Sequence, residues 1–116
     1  MAAVLRVSCA HLEARQYAEL VQALDLDASP PVGQLLHLAS LAPSGGAEIV
    51  DLFQTPEAAS SYVERRLLPA LRYHGIRDVT FGVEQCLNVY TPDPDTLERL
   101  GAFAAPRPVA GASSRY

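Results

Sequence analysis

The chain has 116 residues, nearly half of them apolar, which suits one domain with its own core and leaves little room for a second. A formal charge of −4, with nine Arg and no Lys, lacks the positive field that nucleic acid requires, and no apolar run approaches the roughly 20 residues of a membrane span. Arg6 interrupts the N-terminal apolar stretch, unlike a secretory signal, and the two cysteines permit at most one bridge, so a cytoplasmic protein is expected.

Residues 3–9 are short and β-branched enough for a first strand. In residues 13–24, Tyr17, Leu20, Val21 and Leu24 fall at i, i+3, i+4 and i+7, extended by Ala14, which predicts an amphipathic helix. Ser29-Pro30-Pro31 and Gly33 stop it. Residues 34–42 and 47–53 are two strand-length apolar runs around Pro43-Ser44-Gly45-Gly46, a predicted hairpin. Thr55-Pro56-Glu57 opens a helix that Gly75 ends near His74, with a kink or break expected near Leu68 because Pro69 lies inside. Residues 79–90 read as the last strand, with Val79, Phe81, Val83, Leu87 and Val89 on one face. Asp93–Ala102 is expected to form a short helix held by Leu97 and Leu100, and 103–116 an Ala/Pro/Ser-rich tail beyond a domain of residues 1–102.

Strand, helix, hairpin, helix, strand is the ferredoxin-like βαββαβ order, an α+β antiparallel sheet with both helices on one face. The strands carry apolar residues on both faces, so the uncovered side calls for a second copy of the chain, a homodimer.

Gly33-Gln-Leu-Leu-His37-Leu-Ala39, Ile49-Val-Asp51-Leu-Phe53 with the following Thr-Pro-Glu-Ala-Ala, Leu68-Pro-Ala-Leu71 ending at Gly75, and Asn88-Val-Tyr90 carry a resemblance. Over residues 3–92 the chain resembles the dimeric α+β barrel superfamily, within it the small proteins similar to antibiotic-biosynthesis monooxygenases. The resemblance implies a dimeric barrel, a cavity between sheet and helices, and a choice among cofactor-free oxygenation, haem degradation, isomerisation, cyclisation or no chemistry. The monooxygenases often use a pocket Trp; this chain has none, which sets cyclisation or isomerisation beside oxygenation.

Two histidines are candidate catalysts. His74 follows Leu67, Ala70 and Leu71 on the inward stripe of the second helix, a position for a general base or an axial haem ligand. Alternatively it is a helix-end His bonding the last carbonyls beside Gly75. His37 sits mid-strand among leucines, where a buried imidazole needs a partner. If the hairpin register puts Asp51 on its face, the two form an oriented acid–base pair; a slip of one residue separates them, and a merely satisfied structural His is the other reading.

Tyr17, Tyr62, Tyr73, Glu84, Asn88 and Tyr90 are candidate substrate contacts, Glu84 and Asn88 sharing the polar face of the last strand with Cys86. Arg65 and Arg66 suit either a carboxylate or a solvated face, and Cys9 and Cys86 are expected near each other on neighbouring strands. No metal-ligand spacing, phosphate-cradling loop or nucleophile elbow is present, so neither cofactor nor metal is expected. The leading expectation is a small cofactor-independent enzyme, monooxygenase-like, cyclase or isomerase, moving a proton on an aromatic or polyketide-like substrate. A haem-binding protein using His74 and a non-catalytic dimer that binds a ligand or scaffolds a partner are the alternatives.

Overall fold

The computed structural model describes residues 1–101; the tail expected over 103–116 lies outside the described residues. Strand β1 (Ala3–Cys9) is followed by helix α1 (Ala14–Leu24), the hairpin β2 (Gln34–Leu41) and β3 (Ala47–Phe53), then helix α2 (Pro56–Tyr62). A π-helical turn (Val63–Leu67), α3 (Leu68–Tyr73), β4 (Val79–Gln85) and α4 (Pro94–Leu100) complete the chain. The sheet order is β2-β3-β1-β4 with every neighbouring pair antiparallel, the ferredoxin-like arrangement expected.

Strand periodicity sorts the side chains. Ala3, Leu5, Val7 and Cys9 of β1 and Ala47, Ile49, Asp51 and Phe53 of β3 all point under the helices and are buried. Leu20, Val21 and Leu24 of α1 and Val63, Leu67 and Leu71 of the second helical stretch close over them. Each such Leu or Val contributes about 1.5–3 kcal/mol by leaving water. Helix α1 begins with a capping box in which the Gln16 side chain accepts the Glu13 backbone N–H at 2.9 Å.

Pro69 does not break the helical stretch, which runs on through a π-helical turn at Val63–Leu67. The Leu68 N–H bonds to the Val63 carbonyl five residues back, and this widened turn accommodates a ring that has no N–H to give. Arg66, carried on the widened turn, donates to the carbonyls of Leu24 and Ser29, both at 2.6 Å, so it caps the end of α1.

Three expectations need correction. The last strand ends at Gln85, short of residue 90, because its neighbour β1 runs out: the Cys86 N–H bonds to the Ala2 carbonyl at 2.9 Å, and Leu87, Val89 and Tyr90 beyond it are exposed. Antiparallel pairing sets Cys9 opposite Val79 while Cys86 lies at the other end of the ladder, so the two free thiols do not approach. Leu100 of α4 is exposed and makes no core contact.

The sheet face away from the helices is divided. Leu36, Leu38, Val50, Leu52 and Val4 adjoin on one side, with Leu38 53% exposed. The other side is polar, holding an Arg6–Glu84 ion pair at 3.3 Å and a Ser8–Glu48 hydrogen bond at 2.6 Å. Among the described residues no helix is long and apolar enough to cross a membrane.

Candidate active site

The hairpin register sets His37 directly opposite Asp51, which resolves the alternative that the sequence leaves open. Part of the reason lies in the turn. Gly46 has φ +82, and a Cβ there would stand 2.5 Å from the carbonyl oxygens of Cys9 and Ala10, so glycine lets the turn close against the end of β1. At the other end of β2 an extra residue, Leu35, makes a bulge between Gln34 and Leu36. The bulge turns Gln34 onto the His37 face, where its side-chain N–H donates to Asp51 Oδ1 at 3.3 Å. Gln34 was invisible to a strict two-residue period; the only local signal is Gly33 before it, at φ +80.

The Asp51 carboxylate, 1% exposed, lies 2.5 Å through Oδ1 from His37 Nδ1. A carboxylate only accepts, so the geometry assigns the proton to Nδ1 and leaves Nε2 as the acceptor when the ring carries a single proton. Tyr17 Oη lies 2.5 Å from Nε2 and donates its phenolic hydrogen there. The two rings are parallel within 4°, with centroids 6.0 Å apart. Tyr17, His37 and Asp51 therefore form one continuous hydrogen-bonded chain from α1 through β2 to β3. The His37 side chain is 17% exposed, so the chain opens to solvent near its middle and is sealed at its carboxylate end.

Burial first, then the Asp51 charge, pushes the Tyr17 phenol up to about 12. The same two causes drive Tyr62 higher still, with Tyr17 adding and Arg66 opposing. Both phenols stay protonated at neutral pH, and Tyr17 donates to His37. Tyr62 is buried with its ring on Phe53, centroids 5.5 Å apart. Asp51 Oδ2 is buried without a hydrogen-bond partner among the described residues.

The remaining candidates are dispersed. Glu84 is on the sheet face away from the helices, engaged by Arg6, because the β1–β4 register turns Thr80, Gly82 and Glu84 outward. Asn88 and Tyr90 lie exposed past the end of β4, and Tyr73 is 87% exposed. His74 caps α3 with its ring edge-on to Tyr73 at 5.3 Å, and its Nε2 is buried without a partner among the described residues. An axial haem ligand must present that nitrogen to an open slot beside it. Two surface clefts, of about 270 and 310 Å³, lie at the His11–Asp78 loops and along Ser8, Glu48 and Thr80; neither reaches His74. Neither cleft includes Tyr17, His37 or Asp51 either. Cys9 is buried, and burial with the Glu48 charge pushes its thiol up, away from ready nucleophilicity.

No family model matches the sequence, and no curated protein matches it. Solved structures do resemble it in fold. A protein of unknown function from Nitrosomonas europaea is 12% identical with a TM-score of 0.63, over 78% of this chain and 94% of its own. SnoaB, a cofactor-independent oxygenase from Streptomyces nogalater, is 8% identical with a TM-score of 0.57, over 79% of this chain and 97% of its own. A Deinococcus radiodurans protein provisionally named an antibiotic biosynthesis monooxygenase is 15% identical with a TM-score of 0.53, over 78% and 97%. At these identities the likeness concerns the fold.

Proposed function

For a chain with the ferredoxin-like fold of the antibiotic-biosynthesis-monooxygenase-like proteins of the dimeric α+β barrel superfamily, we propose a cofactor-independent enzyme that moves a proton on a flat, mostly apolar aromatic or polyketide-like substrate. One observation carries this reading: the Tyr17–His37–Asp51 chain, with both contacts at 2.5 Å. Asp51 holds the His37 tautomer, and His37 accepts the Tyr17 proton as Tyr17 Oη takes one from an acidic C–H or O–H of the substrate. The enolate or carbanion that results is the species that ring closure, isomerisation or O₂ addition would use. Gln34 steadies the carboxylate, and Tyr62 forms the inner wall.

The test is proton exchange into a flat carbon acid. With anthrone in heavy water, the protein accelerates exchange at the acidic carbon, and Tyr17→Phe or His37→Gln lowers the acceleration about 10²–10⁴-fold. Equal rates for wild type and the double variant would overturn the reading.

The proposed molecule is a homodimer packed through Leu36, Leu38, Val50 and Leu52. Leu38→Glu would shift sedimentation from dimer to monomer, whereas a wild-type monomer at micromolar concentration would sink the proposal. A second reading, a non-catalytic dimer that binds a ligand or scaffolds a partner, is favoured by how fully Leu5, Val7, Leu20, Leu67 and Leu71 fill the space between sheet and helices. Wild-type exchange no faster than buffer selects it.

A further inference from the structure

The proton relay has a second chemical capability. A hydroxyl hydrogen-bonded to an imidazole, itself oriented by a buried carboxylate, is the arrangement that activates an oxygen nucleophile. Here the hydroxyl is a phenol. We propose that Tyr17 is the nucleophile of an acyl-transfer activity toward activated acyl compounds, namely thioesters and aryl esters. The proposal rests on the reading that Tyr17 and His37 form a reacting pair, and adds a covalent step at the Tyr17 oxygen.

The atoms balance without a co-reactant other than water. Tyr17 Oη attacks the acyl carbon while its proton passes to His37 Nε2, 2.5 Å away. Asp51, at 2.5 Å from Nδ1, stabilises the imidazolium that forms. The C–S or C–O bond to the leaving group then breaks, and the departing thiolate or phenolate takes the proton from Nε2. This leaves neutral His37 beside an acylated Tyr17. Water, deprotonated by the same nitrogen, hydrolyses that ester and restores the phenol.

The chemical class of the substrate follows from the nucleophile. The tetrahedral intermediate expels the less basic of its two oxygens or sulfurs. A phenol is intrinsically a poorer leaving group than a thiol or an electron-poor phenol and a far better one than an alkoxide or an amine. Burial raises the Tyr17 phenol further, so thiols and activated aryl oxygens leave ahead of it whereas alkoxides and amines do not. Ordinary esters and amides are therefore excluded, and thioesters and aryl esters admitted. By the same logic the Tyr17 ester is less activated than the compound that formed it, so deacylation is the slower step and acyl-enzyme accumulates. His37 is the acid–base partner of the Tyr17 oxygen, at 2.5 Å through Nε2. Exposed Tyr73 and Tyr90 serve as controls inside the same molecule; His74 stands edge-on to the Tyr73 ring, but its Nε2 makes no hydrogen bond to it.

The experiment treats the full chain with p-nitrophenyl acetate at neutral pH, follows nitrophenolate release, and locates acetyl groups by peptide mass spectrometry. A burst of about one equivalent is expected, with acetyl on Tyr17 appearing at least tenfold faster than on Tyr73 or Tyr90. Tyr17→Phe abolishes the burst, and His37→Gln slows Tyr17 acetylation about 100-fold, the lower end of general-base contributions. Circular dichroism confirms that both variants are folded, and the acetylation rate of exposed Tyr73 stays unchanged as the reference for background reactivity. Acetyl distributed evenly over the tyrosines, a burst that survives Tyr17→Phe, or Tyr17 acetylation indifferent to His37→Gln would each overturn the proposal. Acceleration of anthrone exchange without any acetylation would remove this step alone and leave the proton-transfer reading standing.

Discussion

Two columns of the same sheet face lie side by side under the helices and do different things. In β1 every inward residue is apolar, Ala3, Leu5, Val7 and Cys9, and the column is closed. In β3, next to it, Asp51 interrupts Ala47, Ile49 and Phe53, directly opposite Leu5 in the ladder. Leu5 and Asp51 are equally hidden, yet one is held by contacts alone and the other by directed hydrogen bonds to His37 and Gln34. Burial by itself does not distinguish a packing position from a chemical one; the number of unsatisfied or shared polar atoms does.

Substitutions can separate the two columns. Leu5→Ala removes buried carbon and leaves a cavity, so urea denaturation should register a loss of about 2–5 kcal/mol. Anthrone exchange, assayed where the variant is still folded, should change little; a loss beyond tenfold would mean that β1 shapes the site. Asp51→Asn removes the charge but keeps the shape, and should cost about 1–3 kcal/mol through weakened hydrogen bonds. Exchange should fall far more than for Leu5→Ala, and the reverse ranking would show that Asp51 only packs.

The smallest effect concerns pH. The Tyr17 phenol is raised by burial and by Asp51 to about 12, so the folded chain holds that proton more tightly than the unfolded chain does. Its stabilisation is therefore present below the unfolded value near 10 and is lost as pH rises through 12. Thermal melts across this window should fall less steeply for Tyr17→Phe than for wild type, with Tyr62 supplying the slope that is left. Identical slopes would mean that Tyr17 is not held as the geometry implies.

Much of this was legible from local pattern. The stripe from Tyr17 to Leu24 placed Tyr17 on the buried face of α1, and the Pro-Ser-Gly-Gly turn announced the hairpin that carries His37 and Asp51. Gln34 was missed because a bulge breaks the two-residue alternation on which the reading rested. The alternation of β4 continues in sequence to Tyr90, whereas the strand itself stops at Gln85 because its hydrogen-bonding partner ends near Ala2. Glu84 and Asn88 share a polar side of that segment, but alternation does not say which side lies under the helices.

By itself the sequence determined the order of the elements, the inward stripe of α1, the turn and the absence of a phosphate loop or metal-ligand spacing, because these depend on neighbours a few residues apart. The tertiary structure alone decided the hairpin register, helped by Gly46 closing against Cys9 and Ala10, the bulge that turns Gln34 inward, and the end of β4. Each is a contact between distant parts of the chain, and a slip of one residue reverses every side chain of a strand. That long-range choice put His37 across from Asp51 and beneath Tyr17.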